Sequence, residues 1–257
     1  MTLTLTLQNF EFFLLIFVRI TGFIVTAPFF SLKNVPFRVK TGFSILLAII
    51  VLLATTNEPL EYIGVIGYTT LVVKEAIVGV VLGFFANIAY YIISFAGSFM
   101  DMEIGFSMVN QLDPVSMIQT TITSNLYGYL ILLIMLVTNL HHLFIKAIVD
   151  SFQVVPVGKA VFDPRMYQLM VRYMTDYFII GFRIVLPIFA AILLVNTILA
   201  ILAKIAPEMN MFVIGMQMKV LVGLFVMTIV IELVPSVADF IFNEMIDMMK
   251  AAIEFLH

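Results

Sequence analysis

The sequence predicts an all-α integral membrane protein, and three observations carry that prediction. Of the 257 residues, 63% are hydrophobic and only 11% charged, too few polar side chains to cover a water-soluble domain of this size. The apolar residues gather in runs long enough to cross roughly 30 Å of hydrocarbon as helices of about 20 residues. The connections are short apart from two, so no separate soluble domain intervenes and residues 1–257 read as one integral membrane domain.

Six segments follow in order, near 10–30, 40–55, 62–100, 117–145, 174–204 and 211–238. The first contains Arg19, the earliest basic residue; with no basic start ahead of its apolar run it lacks the form of a cleavable signal peptide and is expected to remain in the mature chain. Lys33, Arg38 and Lys40 lead into the second. The third is too long for one simple crossing, holds the pair Lys74-Glu75, and reads as a long tilted rod or a broken one. Its Gly79-Val-Val-Leu-Gly83 spacing lets another helix approach closely. The fourth ends on His141-His142, and 146–173, with Pro156, Gly158, Asp163-Pro164 and Arg165, reads as a turn-rich connection or a short amphipathic helix. Loop 101–116 separates the third segment from the fourth. With 25 Phe, 17 Met and no Trp, interfacial anchoring falls to Tyr62, Tyr68, Tyr90, Tyr91, Tyr127 and Tyr129.

Several chemistries are excluded. The absence of cysteine removes disulfides and thiolate sites, and a net charge of −3, scattered along the chain, argues for neither nucleic acid nor an anionic lipid surface as a partner. His141 and His142 are adjacent, hence about 100° apart on a helix, poor geometry for sharing a metal. No phosphate-binding Gly loop, H-E-x-x-H or G-x-S-x-G occurs. The chain is therefore expected not to be an enzyme, and no catalytic, cofactor-binding or metal residue is assigned. Asp101, Glu103 and Asp113 suggest only a polar loop.

Charge placement is anomalous. Lys33, Arg38 and Lys40 follow the first run and Lys146, Lys159, Arg165 and Arg172 follow the fourth, so the positive-inside rule wants both on the cytoplasmic side although three intervening spans would separate them. Either one segment does not cross as drawn, or the final location is not set by ordinary bilayer insertion, with some apolar segments buried in protein and not in lipid. Arg19, Lys74, Glu75, Arg183, Lys219 and Glu232 interrupt the apolar runs, each at about 2.5–3.5 kcal/mol if left at a helix centre in lipid. With no acid or histidine ladder to relay protons, charge pairing at interfaces with partner helices is the favoured reading over an ion pathway. The stretch from Gly97 to Pro114 is rich in Met and Phe for a loop, suited to filling a pore and repacking when something passes, or to tucking against its own helices.

Residues 186–223 carry a resemblance that spans essentially the whole chain. Pro187, Asn196, the Ala206-Pro207 corner, Asn210, the run from Phe212 to Gly215, and Lys219 resemble the FliR family of flagellar export-gate proteins, whose injectisome relatives are called SctT. Gly105 to Asp113-Pro114, and Arg19 with Gly22 and Pro28, look like that family's pattern too; Glu208 and Gln217 depart from it, standing where Gln and often Pro are usual. The resemblance implies a structural, channel-forming subunit built of helical hairpins like a fused FliP and FliQ. It further implies a place in the bacterial inner membrane, within the flagellar basal body, beside FliP-, FliQ-, FlhA- and FlhB-like proteins. Unfolded flagellar proteins would be its cargo, membrane lipid its surroundings, and not every helix need cross the bilayer. Gly105, Phe106, Met108, Leu112, Asp113 and Pro114 would correspond to a channel plug. The alternative is a secondary transporter of a small solute with Arg183, Glu232 and Lys74 lining a midplane site; the missing internal repeat and paired broken helices weigh against it.

Overall fold

The computed structural model describes residues 7–32, 34–55, 59–60, 62–106 and 121–256, and every regular element among them is helical. In chain order these are α1 (Leu7–Thr26), α2 (Phe37–Ala54), α3 (Gly64–Ile104), α4 (Ile122–Val137), α5 (His141–Val154), α6 (Met166–Ile205), α7 (Met211–Val230) and α8 (Val234–Glu254), with a 3₁₀ turn at Ile231–Leu233 joining the last two. Five stretches, α1, α2, α3, α6 and the rod from Met211 to Glu254, are long and apolar enough to cross a membrane. The α4–α5 pair, bent by 72°, makes six if counted as one span. The expected all-α membrane architecture is therefore the one observed.

Several boundaries differ from expectation, each for a local reason. The third segment is one unbroken helix that continues through Asp101 to Ile104, inside the expected loop, and stops where Gly105 turns to φ +97°, a left-handed backbone that glycine adopts without strain. The fourth segment does not run straight: Asn139 takes φ +57°, a conformation asparagine tolerates, and the chain turns between Val137 and His141. Most of the expected connection 146–173 is helical. Its first part completes amphipathic α5, which buries Phe144, Ile148, Ser151 and Phe152, and its last part opens α6. There Asp163 accepts from the Arg165 N–H at 2.8 Å beside Pro164, a helix-start signal overlooked in the sequence. The Arg165 side chain also bonds the Asp163 carboxylate, holding it below its ordinary range.

The last segment extends from the expected 238 to Glu254. Pro235 explains the 3₁₀ turn on the way: it has no N–H to give the Ile231 carbonyl, and its ring crowds that oxygen. Tyr127, expected at an interface, is instead in the core, its hydroxyl buried without a hydrogen-bond partner among the described residues.

Packing divides the chain into two compact units. The first comprises Met1–Ala89, Asn139–Tyr173 and Phe242–His257. Its core includes the α1 stripe Phe12, Leu15, Ile16, Arg19, Ile20, Phe23 and Ile24, in which an arginine occupies a register position otherwise filled by hydrocarbon. The Met245, Met248, Met249 and Ala252 face of α8 is also buried there, and the Val161 and Asp163 N–H groups donate to the Leu256 and Phe255 carbonyls. The second comprises Tyr90–Thr138 and Met174–Ile241. It buries Ile93, Ala96, Met100 and Ile104 of α3, Ile131 and Met135 of α4, and one narrow stripe of α6, Val185, Ile188 and Ile192. Phe95 anchors an aromatic cluster with Phe178 (5.3 Å, edge-on) and Phe182.

Candidate functional site

In the second unit, α6 and α7 form a hairpin around a tight corner. The α6 helix ends with the Ala206 N–H bonded to the Leu202 carbonyl, Pro207 interrupts the chain, and the Asn210 side chain accepts from the Phe212 and Val213 N–H groups at 3.2 and 3.4 Å. Asn210 thus serves as the N-cap of α7, the role for which its short polar side chain suits it. Ala206, Pro207 and Asn210, singled out in the sequence, are therefore corner residues.

Beside this hairpin lies a cavity of about 400 Å³ lined by Met102, Glu103, Ile104 and Gly105 at the end of α3, Asn196 and Leu199 on α6, and Met211, Phe212, Gly215, Met216 and Lys219 on α7. Five of the residues marked in the sequence, Gly105, Asn196, Phe212, Gly215 and Lys219, come together here although they are drawn from two helices and the turn that ends a third. The cavity is mostly Met, Phe and aliphatic surface with one ammonium, one carboxylate and one amide. It offers an adaptable wall and no nucleophile paired with a base. Among the described residues no group of three or more His, Asp or Glu is placed to hold a metal.

Phe106 follows Gly105 at this edge, while Met108, Leu112, Asp113 and Pro114 lie outside the described residues. The ends of helices α3 and α4 that flank them are held together by Asp101. This residue is a buried helical side chain whose carboxylate accepts from the Thr123 N–H at 3.0 Å and from the Thr123 hydroxyl. The α4 N-cap, Thr121, makes no side-chain capping bond of its own, so Asp101 supplies from α3 the acceptor that the helix N-terminus needs. Sequence reasoning placed Asp101 in a polar loop; the signal for its role, an acid in the last turn before Gly105 and a Thr in the first turn of the next helix, is visible only once both ends are in place.

The six intramembrane charges separate. Arg19 and Glu75 are fully buried in the first unit, where the Arg19 Nε and Nη2 groups donate to Glu75 at 2.5 and 3.0 Å. Arg19 also donates to the Val155 and Ser151 carbonyls at 2.9 and 3.4 Å and stacks on Phe152 at 4.3 Å, while the Gly158 N–H donates to Glu75 at 2.7 Å. This pair is internal to the chain. Lys74, in the same unit, is half-buried, as is Lys219 in the second unit. Arg183 and Glu232 are exposed; Arg183 lines a second cavity of about 360 Å³ with Pro187, which cannot bond the Arg183 carbonyl.

These features define the class: an all-α, multi-pass membrane protein whose second unit carries a tight-cornered hairpin and a helix-end cavity. The match to known proteins specifies it further. The family described as bacterial export proteins, family 1, matches residues 10–245, and the chain belongs to that family. It is 33% identical to flagellar biosynthetic protein FliR of Bacillus subtilis (strain 168), across 94% of both chains. Against FliR of Escherichia coli (strain K12) the identity is 26% over 93% of this chain and 91% of the relative. Against FliR of Aquifex aeolicus (strain VF5) it is 22% over 86% and 85%. The chain is thus a membrane component of the flagellar export apparatus, and its family implies association with other proteins of that apparatus.

Proposed function

We propose that this chain is a structural, channel-forming subunit of the flagellar type III export gate, assembling with FliP- and FliQ-like subunits beside FlhA- and FlhB-like proteins in the bacterial inner membrane. It passes unfolded flagellar subunits and transforms no bond. The observation that carries this reading is the outward surface of the second unit. Arg183 on α6 and Glu232 in the 3₁₀ turn stand exposed among outward apolar side chains, including Leu186, Leu193, Leu194, Phe225 and Leu233. Left against lipid, each charge costs about 2.5–3.5 kcal/mol; against partner helices carrying opposite charge, that cost falls. Only 22% of the apolar window of α6 is buried within the chain, against 59% for α3, which leaves α6 ample surface for such partners.

Gentle detergent extraction of the tagged chain from its native membranes, with mass determination and identification of what travels with it, tests the assembly. Co-purification of FliP- and FliQ-like subunits is the expected result. A lone chain binding a small solute overturns it in favour of a transporter. The segment from Gly105 to Pro114 is the proposed closure of the channel, hinged at Gly105 and clamped at its stems by Asp101 and Thr123. Deleting 106–112 is expected to leave the complex assembled and the membrane leaky to ions; unchanged conductance in an intact complex rules this closure out.

A further inference from the structure

We propose that the first unit holds an anionic phospholipid in the cavity between the end of α1 and the first turns of α2 and α5, with an acyl chain against its phenylalanines and the phosphate at Lys40 and the histidine pair. The cavity measures about 400 Å³ and is lined by Phe29, Phe30 and Phe43 together with Val35, Val39 and Ile145, with Lys40, His141 and His142 as its polar groups and no carboxylate. Phe30 stacks on Phe43 at 5.7 Å and meets Phe29 edge-on at 5.1 Å, making a continuous aromatic floor. Phe29 holds φ +69°, an unfavourable backbone for a bulky residue, and in it the ring lies 5.8 Å from that of His141. The His141 Nδ1 atom is buried and has no hydrogen-bond partner among the described residues.

Charge points the same way. The first turns of α2 and α5 both contribute to this wall, and neither helix has a side-chain N-cap bond, so their positive ends add to Lys40. The competing negative end of α1 is already engaged: the Thr26 hydroxyl donates to the Gly22 and Phe23 carbonyls, and the Asn87 amide donates to the Thr26 carbonyl. An apolar floor with a cationic, donor-bearing rim matches an anionic amphiphile. The proposal does not rest on the export reading.

The chain contains no tryptophan, which makes Phe30→Trp a specific reporter. The full-length F30W chain, with whatever subunits accompany it, is placed in phosphatidylcholine bilayers containing equal fractions of either brominated phosphatidylglycerol or brominated phosphatidylcholine, the unsubstituted preparation giving the background. Ile49→Trp, on an exposed position of α2, reports ordinary lipid contact. We expect F30W to be quenched about fivefold more effectively by the anionic lipid, I49W equally by both, and Lys40→Gln to erase most of the preference, in line with the effect of one lysine near anionic lipid. Phe43→Trp reads the same cavity if F30W fails to fold. Equal quenching of F30W by the two lipids overturns the proposal, as does no quenching by either, which would mean that protein covers the cavity.

Discussion

In the first unit Arg19 and Glu75 reach each other from α1 and α3 and together satisfy the Ser151 and Val155 carbonyls and the Gly158 N–H. In the second, Asp101 grips the start of α4, while Arg183 and Glu232 remain on the outside of apolar helices. The contrast separates two uses of charge in one membrane chain. A charge that organises backbone groups within its own chain contributes to the fold without any partner; a charge left facing outward is useful only once another protein covers it. The Arg19–Glu75 pair is accordingly expected to resist substitution, and Arg183 and Glu232 to be replaceable with the fold kept and associations lost.

The largest break in that comparison comes from the ion pair itself. Arg19→Met or Glu75→Leu alone leaves a buried charge unpaired and is expected to cost about 3–5 kcal/mol, read as a fall in the thermal midpoint of the detergent-solubilised chain. The double variant recovers part of the loss, not all, because the α5 carbonyls lose their donor; full additivity of the two single losses would show that the residues act independently. Leucine at Arg183 or Glu232 is expected to leave that midpoint nearly unchanged while reducing co-purifying partners, so a large drop in midpoint there breaks the contrast.

Next in size is Gly79→Ala. A Cβ at this position would overlap the Arg19 carbonyl, so α1 and α3 must separate where the pair is made, at about 1–3 kcal/mol. Asp101→Ala removes the acceptor at the α4 N-terminus and is expected to cost about 1–2 kcal/mol, with faster proteolysis between α3 and α4 as a second readout. The smallest effect has the opposite sign. Gly42 lies inside α2, and a methyl group added there would meet no atom within 4 Å. Gly42→Ala is expected to stabilise by about 0.5–1 kcal/mol; a destabilisation would mean that a partner packs against that face.

Composition and the length of the apolar runs were enough to determine an all-α membrane protein with about six helical segments, because a bilayer imposes a minimum length and admits few polar side chains. The pattern around Ala206, Pro207 and Asn210 was likewise legible, since a proline after a helix and an asparagine before the next act locally. The sequence also marked Arg19 and Glu75 as costly and favoured interfaces with partner helices for them, whereas they pair with each other within the chain. Which charges pair inside the chain and which face outward, the use of Asp101 as a cap for a helix that begins well beyond it in the chain, the bend at Asn139 and the gathering of Gly105, Asn196, Phe212, Gly215 and Lys219 around one cavity were decided by tertiary structure. The reason is physical: apolar periodicity records that a helix must be covered, whereas the identity of the covering group depends on contacts between residues far apart in the chain.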